Sequence, residues 1–211
     1  IVVNAIYPEK NKVAGHYYGK DYFILRDEFI LSKEKKITKS VNKILITFGG
    51  VDPKNYTKKV LQCIYSYCIN NNIDITIITG YGYENFDSLK EYKMAKIKKN
   101  VQNISDYMLS ADLIFTSAGR TIYEIASINT PAIVLEQNER ESTHFFASEK
   151  YGFLNLGLGY KLKDHRLFDE FQKTLHSFEK RKEMSNLMKN QDLKSGRSRV
   201  NKLIQKLIQN Q

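Results

Sequence analysis

The 211-residue sequence has no tryptophan, three prolines and two cysteines. Cys63 and Cys68 stand five apart in what reads as a helix, a spacing that is neither a metal pattern nor a redox motif. Ordinary thiols in a reducing compartment are expected, and with them a cytoplasmic protein. No apolar run approaches the ~20 residues that cross a bilayer, and nothing resembles a signal peptide, so no transmembrane segment is expected. Nor is there a GxGxxG, because the next glycine after Gly49 and Gly50 is Gly80, and no lysine-bearing phosphate loop is present. A nicotinamide-dependent dehydrogenase and a P-loop NTPase are both disfavoured. No DxD-type pair ends a strand, so neither a metal nor a cofactor is expected, and no Ser-His-Asp or Cys-His set stands out.

Acidic residues are also in short supply: 23 Asp and Glu face 33 Lys and Arg, a formal net charge of +10. From Lys161 onward there are 13 basic residues against 6 acidic ones. They are spread over amphipathic patterns without interleaved aromatics. That distribution reads as a solvated basic face, and nucleic acid is not an expected partner.

What is present is organised around Ala111 to Glu139, ADLIFTSAGRTIYEIASINTPAIVLEQNE. An apolar run at Leu113 to Phe115 opens into the small turn Thr116-Ser117-Ala118-Gly119, and a helical pattern follows with Ile122, Ile125, Ala126 and Ile128 on one face. Thr130-Pro131 ends that helix, and a second apolar run begins at Ala132. This is a βαβ unit with a glycine at its first turn. Unpaired N–H groups and the positive end of the helix dipole make such a turn fit for an anion, a phosphate first of all. One turn further, the carboxylate of Glu124 can accept hydrogen bonds from a sugar diol such as ribose. Gln137 and Asn138 stand at the end of the second strand, either as capping groups or as amides for a phosphate or a sugar hydroxyl.

The rest of the chain repeats this alternation. Residues 1–40 hold one short strand, Ile1 to Tyr7, then a polar loop from Pro8 to Lys20 and the apolar cluster around YFILRDEF. They make a poor core, and the chain opens on Ile1 rather than Met, so they are expected to be the exit segment and linker of a preceding domain. Residues 41–211 are expected to form a Rossmann-like domain. KILITF at Lys43 to Phe48 reads as a strand buried on both faces. Asp52-Pro53 is expected to start a helix that runs to Ile69. Gly49-Gly50 would then be a second strand-to-helix turn. Strands are expected at Asp74 to Thr79, Met94 to Ile97 and Gly152 to Gly157. Helices are expected at Glu84 to Tyr92, from Ser105 to Ala111, at Arg140 to Lys150, at Asp164 to Asn190 with a break at Gly196, and at Ser198 to Gln209. His144, on the helix from Arg140, reads as a packed or capping histidine. The fold class is α/β, a doubly wound and mostly parallel sheet with ligands at the strand C-termini.

ILITFGGVDPKNYT followed about sixty residues later by the Ala111 to Glu139 unit resembles the C-terminal half of the GT-B nucleotide-sugar enzymes. That group includes the lipid II glycosyltransferases. The closer likeness is to UDP-sugar hydrolases of the pseudaminic acid pathway and to spore-coat polysaccharide proteins, and YFILRDEF resembles the passage between their two domains. The AGRTxYE form is similar to domains fused behind a CMP-sialic acid synthetase-like domain. The resemblance implies that Gly49, Gly50 and the Gly119-Arg120-Thr121 turn hold a diphosphate. It further implies that Glu124 binds the ribose hydroxyls and that Gln137 and Asn138 contact phosphates or sugar. Arg120 departs from the small hydroxyl residue usual in that family, and Val51 from the usual serine. The implied partners are a nucleotide-sugar, UDP-linked first and CMP- or GDP-linked second, and an N-terminal domain of the same polypeptide. The implied activity is nucleotide-sugar hydrolysis, with glycosyl transfer or catalysis-free binding as alternatives. A homodimer through an exposed interdomain face is a further expectation.

Overall fold

The computed structural model describes residues 1–7 and 13–209. Six parallel strands form the central sheet: β3 (Lys43–Ile46), β4 (Asp74–Thr79), β5 (Lys96–Lys99), β6 (Leu113–Thr116), β7 (Ala132–Glu136) and β8 (Phe153–Leu158), ordered β5-β4-β3-β6-β7-β8. Two short strands at the start, β1 (Val2–Asn4) and β2 (His16–Tyr18), pair in parallel as a separate ribbon. The helices are α1 (Asp27–Leu31), α2 (Tyr56–Asn70), α3 (Ile104–Ser110), α4 (Thr121–Ile128), α5 (Asp164–His176), α6 (Phe178–Lys189) and α7 (Gly196–Gln209). None of the described helices is long and apolar enough to cross a membrane.

The near-continuous apolar strands follow from a sheet covered on both faces. Ile44 and Ile46 of β3, Leu113 and Phe115 of β6 and Ile133 and Leu135 of β7 join one core with α2 and α5. Leu45, Ile114 and Val134 point the other way, into a core with α1, α3 and α4. At one edge, β5 reads KIKK and only Ile97 packs inward, so lysines guard the open strand.

Several boundaries differ from the sequence expectation, each for a local reason. The helix expected from Asp52 starts at Tyr56, because Asp52 and Asn55 take left-handed φ values of 45° and 53° and add a turn first. Asp52 still caps it, its carboxylate accepting the N–H of Tyr56 at 2.9 Å and of Thr57 at 2.8 Å. The helix expected at Arg140 to Lys150 is two 3₁₀ turns, Glu141–Thr143 and Glu149–Tyr151. The one expected at Glu84 to Tyr92 is a 3₁₀ turn, Phe86–Leu89. The single helix expected at Asp164 to Asn190 is two, parted at Ser177, whose hydroxyl accepts the Lys180 N–H. Arg181, just past that break and 1% exposed, donates to the carbonyls of Thr174 and Leu175 at the end of α5 and of Thr38 and Lys39 in the linker. Gly196 opens α7 instead of ending a helix. A Cβ there would lie 2.0 Å from the Phe23 carbonyl.

The loop expected at Pro8 to Lys20 contains β2, and its residues 8–12 lie outside the described residues. The described residues among the first forty rest on the main body. Leu25 and Phe29 are buried, and the Phe23 ring stacks on Tyr123 of α4 at 4.1 Å, which in turn stacks on Phe146 at 4.5 Å.

Candidate functional site

The chain leaves β3 toward β4 and β5, then returns to the other side of β3 as β6. Crevices form at the C-terminal ends of strands where the winding reverses in this way. The walls here are the turn after β3 and the start of α4 after β6. Gly49 adopts φ +79°, and a Cβ on Gly49 or Gly50 would meet nothing within 4 Å, so both backbone units face open space. Behind them the turn is held tightly. A Cβ on Gly80 would lie 2.4 Å from the Gly50 Cα, and Gly82 N–H donates to the Gly50 carbonyl at 3.1 Å. The expected strand stops at Thr79, and the close approach of Gly80 to the other turn follows only from the pairing of β4 with β3.

Across the crevice, Ser117-Ala118-Gly119 leads into α4, whose first N–H groups have no partner within the helix. The carboxylate of Glu141 reaches the same turn, its Oε2 accepting from Ala118 N at 3.1 Å and from Gln137 N at 2.8 Å. Burial pushes the Glu141 carboxyl above the ordinary range, and those two N–H bonds oppose the rise. His144 is buried. Its Nδ1 lies 2.6 Å from the Ala118 carbonyl and therefore carries the proton, while Nε2 has no partner among the described residues. Glu141 and His144 were not foreseen as supports of this turn, since both depend on the 3₁₀ turn that replaces the expected helix.

The expected site residues divide into two clefts on either side of the α4 turn. One, of about 180 Å³, is lined by Gly49, Thr79, Asn100, Thr121, Glu124 and Arg26. The Thr79 hydroxyl is buried there without a partner among the described residues. Glu124 is mostly buried, and its Oε1 accepts from Arg26 Nε at 2.8 Å. Burial raises the Glu124 carboxyl, and the bond and charge of Arg26 hold it down. The other cleft, of about 390 Å³, is lined by Gly119, Arg120, Asn138, Arg140, His144 and Ile6. Gly50 lines neither cleft; its Cα and carbonyl press against Gly80, which lines the first. Gln137 is buried and donates from Nε2 to the Phe48 carbonyl at 2.9 Å, bracing the turn after β3 from β7. Asn138 is exposed, and its Oδ1 accepts Glu141 N–H at 3.1 Å. Among the described residues no three His, Cys, Asp or Glu side chains stand together as metal ligands. A more apolar cavity of about 310 Å³ opens at the start of β8 against α6, at the opposite end of the strands from this chemistry.

A doubly wound parallel sheet with its crevice at the β3/β6 reversal is the architecture of a GT-B half. Residues 43–206 match the glycosyltransferase family 28 C-terminal domain, and the chain belongs to that family. A protein of Methanocaldococcus jannaschii is 39% identical over 66% of this chain and 32% of its own length. The spore coat polysaccharide biosynthesis protein SpsG of Bacillus subtilis is 26% identical over 84% of this chain and 56% of its own length. A Helicobacter pylori protein, named as a pseudaminic acid cytidylyltransferase and UDP-2,4-diacetamido-2,4,6-trideoxy-beta-L-altropyranose hydrolase, is 27% identical over 61% of this chain and 23% of its length. The chain thus spans from 23% to 56% of the length of these relatives. Among solved structures, Acinetobacter baumannii MurG superposes over 97% of this chain and 60% of its own with a TM-score of 0.68 and 16% identity. Anabaena HepE, in complex with UDP and glucose, covers 82% of this chain and 49% of its own with a TM-score of 0.58 and 12% identity. Both likenesses are of fold.

Proposed function

We propose that this chain is the nucleoside-diphosphate-binding half of a nucleotide-sugar hydrolase that acts in nonulosonic acid or surface polysaccharide biosynthesis. The observation that carries the reading is the convergence, at one sheet reversal, of the open Gly49-Gly50 turn, the free N–H groups at the start of α4 and the Glu124 carboxylate. In this reading the diphosphate lies against the N–H groups of Gly49, Gly50 and Gly119 to Thr121, where the helix dipole stabilises its charge. Arg120 adds a charge-assisted contact. Glu124 accepts from the ribose hydroxyls. Gln137 acts from behind the turn, and Asn138 faces the second cleft, where the sugar would lie. The spore coat polysaccharide role of SpsG and the pseudaminic acid chemistry of the Helicobacter pylori relative support this reading, and the UDP bound to HepE supports the ligand class.

Hydrolysis at the anomeric carbon needs a base on the side of the sugar away from the diphosphate. The residues named here lie on the leaving-group side. Residues 1–40 would be the passage from a further domain that carries the base, and the chain alone would bind nucleotide weakly and turn over little. A second reading, half of a glycosyltransferase, draws on the structural likeness to MurG, with an acceptor hydroxyl in place of water.

The test is calorimetric titration of the folded chain with UDP, CDP, GDP and their monophosphates, beside Glu124→Ala. Binding of one diphosphate, weakened roughly tenfold or more in the variant, is expected. Absence of binding by all of them at millimolar concentration would move a non-catalytic interaction module to first place.

A further inference from the structure

The Glu124 carboxylate bonds one side chain among the described residues, Arg26, which belongs to the segment preceding the family-matched region. Arg26 is itself fixed on three sides. Its Nε meets Glu124 at 2.8 Å, its Nη1 meets Glu28 Oε1 at 2.8 Å, and its guanidinium lies 5.1 Å from the centroid of the buried Phe29 ring. Glu28 is anchored in turn, its Oε2 accepting the Ser105 N–H at 3.0 Å at the start of α3. Leu25 and Phe29, on either side of Arg26 in sequence, are buried against the sheet and α4. An exposed arginine with this many restraints has little rotamer freedom left to lose when it grips a partner.

We infer that Arg26 is a positioning residue for Glu124, holding the carboxylate by one oxygen so that its second oxygen is presented, in a fixed rotamer, to the hydroxyls of a ribose. The inference rests on the nucleotide reading above. A carboxylate has about four acceptor sites, and Arg26 occupies one of them, so the pair leaves room for a vicinal diol. Without Arg26 the mostly buried carboxylate would lose both its charge partner and its orientation, and an incoming sugar would have to order it at the moment of binding. The segment Phe23 to Phe29 then does more than join the two halves. It finishes the nucleotide site.

The experiment compares wild type, Arg26→Met and Arg26→Lys, each titrated with whichever of UDP, CDP and GDP the wild type binds and with the 2′,3′-dideoxy analogue of that nucleotide. Wild type is expected to prefer the ribose form by about tenfold or more. Arg26→Met is expected to lose most of that preference through weaker binding of the ribose form, with the dideoxy form changed by less than about threefold, and Arg26→Lys to restore part of it. Equal weakening of both ligands by Arg26→Met would mean that Arg26 acts on the phosphates or on the fold, and would overturn the inference. An unchanged preference would overturn it as well. A wild type that prefers the ribose form while the variant keeps that preference leaves the nucleotide reading standing without Arg26, whereas a wild type that binds none of the three removes both. Arg26→Gln, which keeps a donor without the charge, replaces Arg26→Met if circular dichroism shows that variant unfolded, with the same outcomes.

Discussion

Two carboxylates at the crevice, Glu124 and Glu141, are pushed upward by burial. For each, the folded protein holds its proton to a higher pH than the unfolded chain does. The associated stability is therefore fully present below the ordinary glutamate value and declines as pH rises through the folded one. Glu141→Gln tests this at one residue, since the amide oxygen can still accept from Ala118 N and Gln137 N. Urea unfolding followed by circular dichroism, from pH 4.5 upward to neutral, is expected to show a smaller loss of stability in the variant than in wild type. Equal slopes would show that Glu141 is not strained by its burial. The two thiols show the same direction of effect with no functional consequence: burial raises Cys63 to about 11 and Cys68 to about 12, so neither is a reactive thiolate near neutral pH.

At the scale of elements, the site depends on two turns pressed together. Gly80 has no side chain because Gly50 occupies the space, and Gly80→Ala would force the turn after β3 to move. A cost of about 1–3 kcal/mol in stability is expected, with nucleotide affinity lowered tenfold or more in a protein whose circular dichroism is retained. Unchanged affinity would mean that the turn after β3 plays no part in binding. The strands of this layer are legible from sequence because burial on two faces gives near-continuous apolar runs: KILITF, DITIIT, the run at Leu113 to Phe115 and the run that begins at Ala132 all read as strands. The two strand-to-helix turns were legible for a similar reason, as glycine and small residues mark where no Cβ is tolerated. The misreadings share a cause. Local propensity favours a helix from Asp52, one unbroken helix from Asp164 to Asn190 and a break at Gly196, while a left-handed turn, the Ser177 hydroxyl cap and the Phe23 carbonyl decide the outcome. His144 is buried against the Ala118 carbonyl, as a packed or capping histidine would be, but its partner, like those of Arg26 and Glu141, is not legible from sequence, because it lies far away in the chain or beside a 3₁₀ turn where the pattern favours a helix.

For the molecule as a whole, the described residues among the first forty are tied to the main body. Tyr123 OH donates to the Ala5 carbonyl at 3.0 Å and Arg140 Nε donates to Tyr7 OH at 2.8 Å, so the segment touches both sides of the α4 turn. The basic surplus of the last fifty residues lies largely on exposed faces of α5, α6 and α7, as solvated charge. The central claim is that a nucleoside diphosphate binds across the start of α4. The most direct measurement is an amide-resolved NMR titration of the ¹⁵N-labelled chain with UDP. The account predicts shifts concentrated at Gly49, Gly50, Gly119, Arg120, Thr121 and Glu124, with residues around the β8/α6 cavity unmoved. Shifts confined to that cavity, or to the basic face of α7, would contradict it.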